Sequence, residues 1–348
     1  MAAGILSTGA LALTITIDPL PSGVQGLGPM IYIDSASTLD GDRVRTYTSV
    51  AGAAADEAAG YLSADALDAV TVALGQSPRP ASVLVGRKAG GEDWDDAAIA
   101  CAAVASFSFV TMSSRTIADA MTLATWADAT LDKIVIFQNG DSSWLNAGVP
   151  AGFTAHPSLA VVYHPTSTEH AAEAYAAILS AVDADIVAPA GWGTITGIDT
   201  YDLTASQVTA AAANYANVLL PLRDSGADRN VHYGFVSTGE RVSATITRAW
   251  TAIKIEAAVA ALYATYYSSG RRLPLDARGE AAITSILSSI GAQGLAAGHY
   301  TTRADLPDGY AFTTSIDAGT LTINVTGQYG LLDKVEALSI ALNLTRAA

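Results

Sequence analysis

Only one cysteine, Cys101, occurs in the chain. A lone thiol excludes an internal disulfide framework and any thiolate metal cluster built by this chain alone. It lies in the apolar stretch AAIACAAVA, where it reads as a packed small hydrophobe. Cations are scarce as well: Lys and Arg number 18 against 33 Asp and Glu, a formal net charge of -15. DNA binding runs on clustered Lys and Arg that release counterions from phosphates, so direct nucleic-acid binding is demoted. The first basic residue is Arg43, which leaves the apolar N-terminus MAAGILSTGALALTITID without the positive region of a secretory signal. No uninterrupted apolar run reaches the ~20 residues that a membrane-spanning helix needs. The sequons at Asn324 and Asn343 mean nothing without a secretory route, and the expectation is a soluble chain made inside the cell.

Charge of either sign is also thin. Charged residues make up 15% and hydrophobic ones 50%, where soluble domains average about 25% charged. Much of the surface is then neutral Ala, Ser and Thr, which favours burial against partners. The 348 residues suffice for about two domains and a sizeable core.

Chemistry-bearing patterns are few. The histidines are His156, His164, His170, His232 and His299. His170 and Glu173 fall at i, i+3 and His164 lies nearby, so a metal pair is one reading. It has no third ligand at a recognisable spacing, and His170 reads as a solvated residue in the first turn of a helix. Asp95 and Asp96 resemble a paired-carboxylate site, but at a helix start they fit the macrodipole better. The stretch ADIVAPAGWGTITG carries Gly191, Gly193 and Gly197. A dinucleotide fingerprint must open directly into a helix, whereas here the third glycine is one residue late and IDTYD intervenes. No nucleophile elbow or P-loop occurs. No catalytic, cofactor or metal residue is assigned, and no cofactor is expected.

Hydropathy patterning is more informative. Leu11, Leu13, Ile15 and Ile17 alternate with Ala12, Thr14 and Thr16, as in a half-buried strand. Pro19, Pro21, Gly23, Gly26 and Gly28 make the following segment a tether. From about 30 to 190, short β-rich runs alternate with helical patterns, predicting a mixed-sheet α/β domain. Thr166 with Glu169 and Thr204 with Gln207 have capping-box spacing, predicting helices over about 168–182 and 205–220. A long helical pattern begins near 243 and stops at Gly270, and another starts at Asp276. Leu338, Ile340, Leu342 and Leu344 close the chain with a second alternating strand. Both terminal strands either join the chain's own sheet or add to a neighbour's sheet edge. Arg271, Arg272 and Arg278 stand out among so few cations, either as a patch for an acidic partner or as local pairs of Asp276 and Glu280.

Several of these stretches resemble the tail-sheath-like family of contractile bacteriophages. The resemblance rests on Arg45 and Tyr47 before an Ala-rich helix, then Gln76, Pro78 and Pro80 leading into Val83–Val85, closed by Gly86 and Arg87. Tyr163–Thr166, the segment near 279–298 and the closing SIALNL also look like that family, in the same order along the chain. The resemblance implies an α/β, α+β mixed fold: an N-terminal arm and linker over 1–29, an α/β domain over 30–200, a helical and β sheath core over 201–330, and a C-terminal arm over 331–348. It implies a non-enzymatic subunit of stacked six-fold rings around an inner tail tube, with arms that knit neighbouring subunits into a contractile mesh. Neighbouring sheath subunits, the tube protein, a baseplate and a tail terminator would be its partners, in a virion tail assembled in the host cytoplasm. No nucleic acid or membrane is among them. The C-terminal half would lie innermost, making Arg271, Arg272 and Arg278 candidate tube contacts. Other virion assembly proteins, such as a tube or capsid component, and an α/β nucleotide-binding enzyme using the Gly191–Gly197 loop are the alternatives.

Overall fold

The computed structural model describes residues 8–13, 27–130, 132–146, 148–188, 194–199, 201–221, 229–232, 234–270, 274, 276–302, 304–317 and 322–330. In chain order the elements are β1 (Thr8–Leu13), β2 (Met30–Asp34), β3 (Val44–Tyr47), α1 (Val50–Ala58), α2 (Ala64–Leu74), β4 (Val83–Arg87), α3 (Trp94–Ala102), β5 (Phe109–Met112), α4 (Ile117–Thr130), β6 (Ile134–Asn139), β7 (Leu159–Tyr163) and α5 (Ala171–Ser180). They continue with β8 (Thr194–Ile195), α6 (Ala205–Ala213), β9 (Ala216–Pro221), β10 (Arg229–His232), α7 (Val242–Ser268), α8 (Ala277–Ala296), β11 (Tyr310–Asp317) and β12 (Thr322–Gly330).

The predicted α/β alternation is present. A sheet of order β3-β4-β2-β5-β6-β7-β9-β10-β8 is parallel from β4 through β9 and antiparallel at both ends. Its central strands are buried along their whole length, as MIYID in β2 and LAVVY in β7 show. Helices cover both faces, which is why these strands read as continuous apolar runs. One face buries Ala66, Val70 and Ala73 of α2 and Ala171 to Leu179 of α5, and the other buries Ala97, Ala98 and Cys101 of α3 and Leu123 of α4. Cys101 is fully buried, as expected, and burial pushes its thiol up to about 11.

Two local predictions fail for tertiary reasons. The Thr166–Glu169 capping box does not form: the chain turns left-handed at His170 (φ 50) and α5 begins only at Ala171. Gln138 at the end of β6 caps it instead, its Oε1 accepting from the Ala171 amide at 2.6 Å and the Ala172 amide at 3.4 Å. The Thr204–Gln207 box does form, but that helix ends at Ala213. Tyr215 (φ 57) breaks it, and residues 216–221 form strand β9, which pairs with β7 at Ala216 and Asn217, where the Asn217 side-chain Nδ2 also donates to the Val161 carbonyl at 2.9 Å. β9 and β10 thus continue the α/β sheet past residue 200.

The C-terminal part packs α7 and α8 against a three-stranded antiparallel sheet of order β1-β12-β11. Gly270 (φ 68) follows α7 and Asp276 caps α8, both at their predicted places. The two parts meet at the 184–188 segment. Asp185 accepts from the Trp250 indole at 2.8 Å and from Lys254 at 2.7 Å, His299 meets the Ala184 carbonyl at 2.7 Å, and the Trp250 and His299 rings stack with centroids 4.4 Å apart. In α8, Gly294 lets Tyr300 seat on the helix: a Cβ there would come within 2.3 Å of the ring. No helix among the described residues is long and apolar enough to cross a membrane.

Two stability measurements check this account. Gln138→Leu leaves two buried amides without their acceptor and should cost about 1–3 kcal/mol by chemical denaturation, whereas Thr166→Ala should stay within about 0.5 kcal/mol. Gly294→Ala raises helix propensity by about 1 kcal/mol, yet it should destabilise by about 1–3 kcal/mol because Tyr300 is held by Thr251, Trp250 and Tyr329 and cannot withdraw.

Candidate functional site

In parallel α/β sheets ligands bind where the strand order reverses, outside the carboxyl ends of the strands. Here β2 lies between β4 and β5, so that crevice opens at the ends of β2 and β5. The chain's own side chains fill it. Asp34 Oδ1 accepts from the Ala36 amide at 3.1 Å, and its Oδ2 accepts from the Ser37 amide at 2.8 Å, the Ser37 hydroxyl at 2.5 Å and the Ser63 hydroxyl at 2.6 Å, so the carboxylate is held by the chain's own groups. Ser35 and Ser113 bond each other beside it.

Beneath them lies a charged cluster that sequence reasoning missed as a unit. His170, expected at the surface, is 1% exposed, and Glu173 on the same helix is 0% exposed. The His170 Nδ1 lies 3.5 Å from Glu173 Oε2, its Nε2 3.5 Å from Asp65 Oδ1, and Arg115 Nη1 3.5 Å from Glu173 Oε1. Tyr32 of β2 donates its hydroxyl to Asp65. Arg115 is anchored by donating to the Met112 carbonyl at 2.8 Å. The count is two cations and two carboxylates, so the cluster is neutral when all four groups are charged. Burial works against the Glu173 charge, but Arg115 and His170 outweigh it and hold the carboxyl below its ordinary value. Burial likewise opposes charge on His170, and the Glu173 and Asp65 carboxylates still hold the imidazole above 6.5. Burial, with Glu173 and Asp65 adding, pushes the Tyr32 phenol far up. The i, i+3 spacing of His170 and Glu173 was the legible signal. Their partners came from other elements.

Among the described residues, the remaining sequence candidates are engaged by their local surroundings. His164 is engaged by backbone, with Nδ1 at 3.0 Å from the Thr166 carbonyl and Nε2 at 3.1 Å from the Asp199 carbonyl. Asp95 and Asp96 gather with Asp93 so that their carboxylates lie within 4.8 Å of one another, in the first turn of α3. Gly191 and Gly193 lie outside the described residues. Gly197 follows β8 instead of opening a helix, and its neighbour Thr196 is pinned to Gln76 by two hydrogen bonds of 3.0 and 3.1 Å.

The main-chain edges differ. The α/β sheet ends at β3, four residues long, where Arg45 is paired with Asp42 at 3.0 Å and Asp56 at 2.9 Å and charge guards the edge. In the three-stranded sheet β11 runs eight residues as an outer strand, and β1 forms the other edge. β1 carries Leu11 opposite Gly327 and Leu13 opposite Val325 of the same chain. Ile15, Ile17, Leu338, Ile340, Leu342 and Leu344 lie outside the described residues, as do Arg271 and Arg272. Arg278 is 82% exposed and pairs with Asp276 at 2.8 Å, the local pairing weighed from sequence.

No family model matches the sequence, and no curated protein matches it. Solved structures do share its architecture. A chain of the anti-feeding prophage baseplate, from a 6-fold symmetrised cryo-EM structure, aligns at a TM-score of 0.64 and 10% identity over 95% of this chain and 98% of that one. A chain of the anti-feeding prophage helical sheath in its contracted state gives 0.58 and 12% over 96% and 98%. A sheath tail protein from Listeria innocua gives 0.56 and 9% over 87% and 96%. At such identities the likeness is one of backbone architecture, and it extends over nearly the whole chain: this protein has a tail-sheath-like fold.

Proposed function

We propose that this protein is a structural subunit of a contractile tail sheath, assembling as stacked hexameric rings around an inner tube and contracting to drive that tube through a cell envelope. The observation that carries this reading is the near full-length fold similarity to sheath and baseplate chains of a contractile particle. Its partners are neighbouring copies, the tube protein, the baseplate and a tail terminator, with neither nucleic acid nor membrane contacted directly. The particle is a phage tail assembled in the host cytoplasm.

Strand exchange supplies the connection between subunits. β1 is held to β12 by an antiparallel ladder, each main-chain bond contributing about 0.5–1.5 kcal/mol net. The same ladder forms equally well with the β1 of a neighbour, so exchange costs little and concentration decides it. The tether around 18–29 gives the strand reach, and Leu338, Ile340, Leu342 and Leu344 form the second arm on a neighbouring edge. A contact of this kind that does not close on itself propagates as a helix. Contraction is then a rigid-body change of packing while the arms hold the mesh together.

Removal of residues 1–17 should leave a folded, soluble subunit that builds no long cylinders in negative-stain images; normal cylinders from that truncation would end the arm argument. Arg271→Glu, Arg272→Glu and Arg278→Glu together should weaken assembly on tubes while circular dichroism and melting stay as in the parent. Undiminished tube decoration by this triple variant would remove these arginines from the tube interface.

A further inference from the structure

The charged groups beneath the strand ends of β2 and β5, His170 and Glu173 buried and Asp65 44% exposed, join four separate parts of the fold. Asp65 belongs to α2, Arg115 to the connection after β5, Glu173 to α5, and Tyr32 to β2. His170 faces the Asp65 carboxylate through Nε2 and the Glu173 carboxylate through Nδ1, each at 3.5 Å, has the Arg115 Nη2 donor 3.5 Å from Nδ1 as an opposing neighbour when the ring is charged, and packs edge-on to the Tyr32 ring, 6.1 Å between centroids. It is held there in a left-handed backbone conformation (φ 50), uncommon for a residue with a side chain, just where α5 begins. Glu173 Oε2 is buried and accepts no hydrogen bond, so the charged imidazole 3.5 Å away compensates it.

We propose that Asp65, Arg115, His170 and Glu173 form a pH-gated latch that clamps α5 onto α2 and the sheet, closed while the imidazole is charged and released when it is neutral.

The groups facing the imidazole set the sign. Glu173 and Asp65 favour its charge, while Arg115 and burial oppose it, and the balance lies toward charge. A folded-state value above 6.5 contributes stability that is complete below that pH and disappears as pH rises through the folded value. Glu173, held below 4.5, contributes stability that is complete above that pH and is lost as acid protonates it. The latch is therefore strongest between the ordinary carboxylate range and about 6.5, and it weakens as pH rises from there through the folded value of His170. A neutral imidazole leaves Arg115 alone against two carboxylates, one of them buried.

Hydrogen exchange of the full chain at pH 6 and pH 9, corrected for intrinsic rates, reads the latch. Protection of the α5 amides should be lower at pH 9 than at pH 6 while α7 keeps its protection. In His170→Asn, which tolerates the left-handed backbone but does not titrate, that pH dependence should vanish. Equal α5 protection at both pH values, an equal loss in α7, or an undiminished slope in His170→Asn would each overturn the latch. Should His170→Asn fail to fold, imidazole titration of the parent by NMR decides. A His170 midpoint above 6.5 supports the latch, and one at or below 6.5 overturns it.

Discussion

The wholly buried helix α5 is the constraint around which the α/β part is organised. Its sequence AAEAYAAILS presents no polar face, and every residue from Ala171 to Leu179 is buried. A helix in that position has two problems that surface helices leave to water: its first amides and its one ionised side chain. Both are answered by groups from the strand ends. Gln138 takes the first two amides, while Arg115, His170 and, through His170, Asp65 balance Glu173. The crevice that open α/β sheets commonly use for ligands is consumed in solving them.

That arrangement separates rigidity from connectivity. The α/β sheet is covered by helices on both faces, and its β3 edge is short and charged, which disfavours pairing with other chains along that edge. The three-stranded sheet beside α7 and α8 is built the opposite way, with a long outer strand at β11 and a terminal strand at β1. Between them the Trp250, His299 and Asp185 contacts join the two parts.

Elements whose signals are local were legible in the sequence. The apolar runs of β2, β5, β6 and β7, the Thr204 cap, the Asp276 cap and the Gly270 stop all stand where side-chain pattern or capping chemistry placed them. The alternation of strand and helix likewise sufficed for the mixed α/β class. Residues 216–221 were not legible, because ANVLLP continues an apolar pattern acceptable to a helix, and only pairing with β7 makes it a strand. The cap of α5 was misplaced for a similar reason: Thr166 and Glu169 have the right spacing, but Gln138, distant in sequence, offers the better acceptor once the sheet has formed.

What the sequence determined by itself was the secondary-structure alphabet, the scarcity of cations and of reactive constellations, and the inert placement of Cys101, since each follows from composition or from neighbours within a few residues. Tertiary structure alone decided the fate of His170. Its local context is that of a solvated helix start, yet the burial of α5 draws it inward, where Glu173, Asp65 and Arg115 surround it. Charge compensation depends on which groups the fold brings within a few ångströms, and only Glu173 lies within reach of a local pattern, whereas positions 65 and 115 are too distant in sequence for one to record.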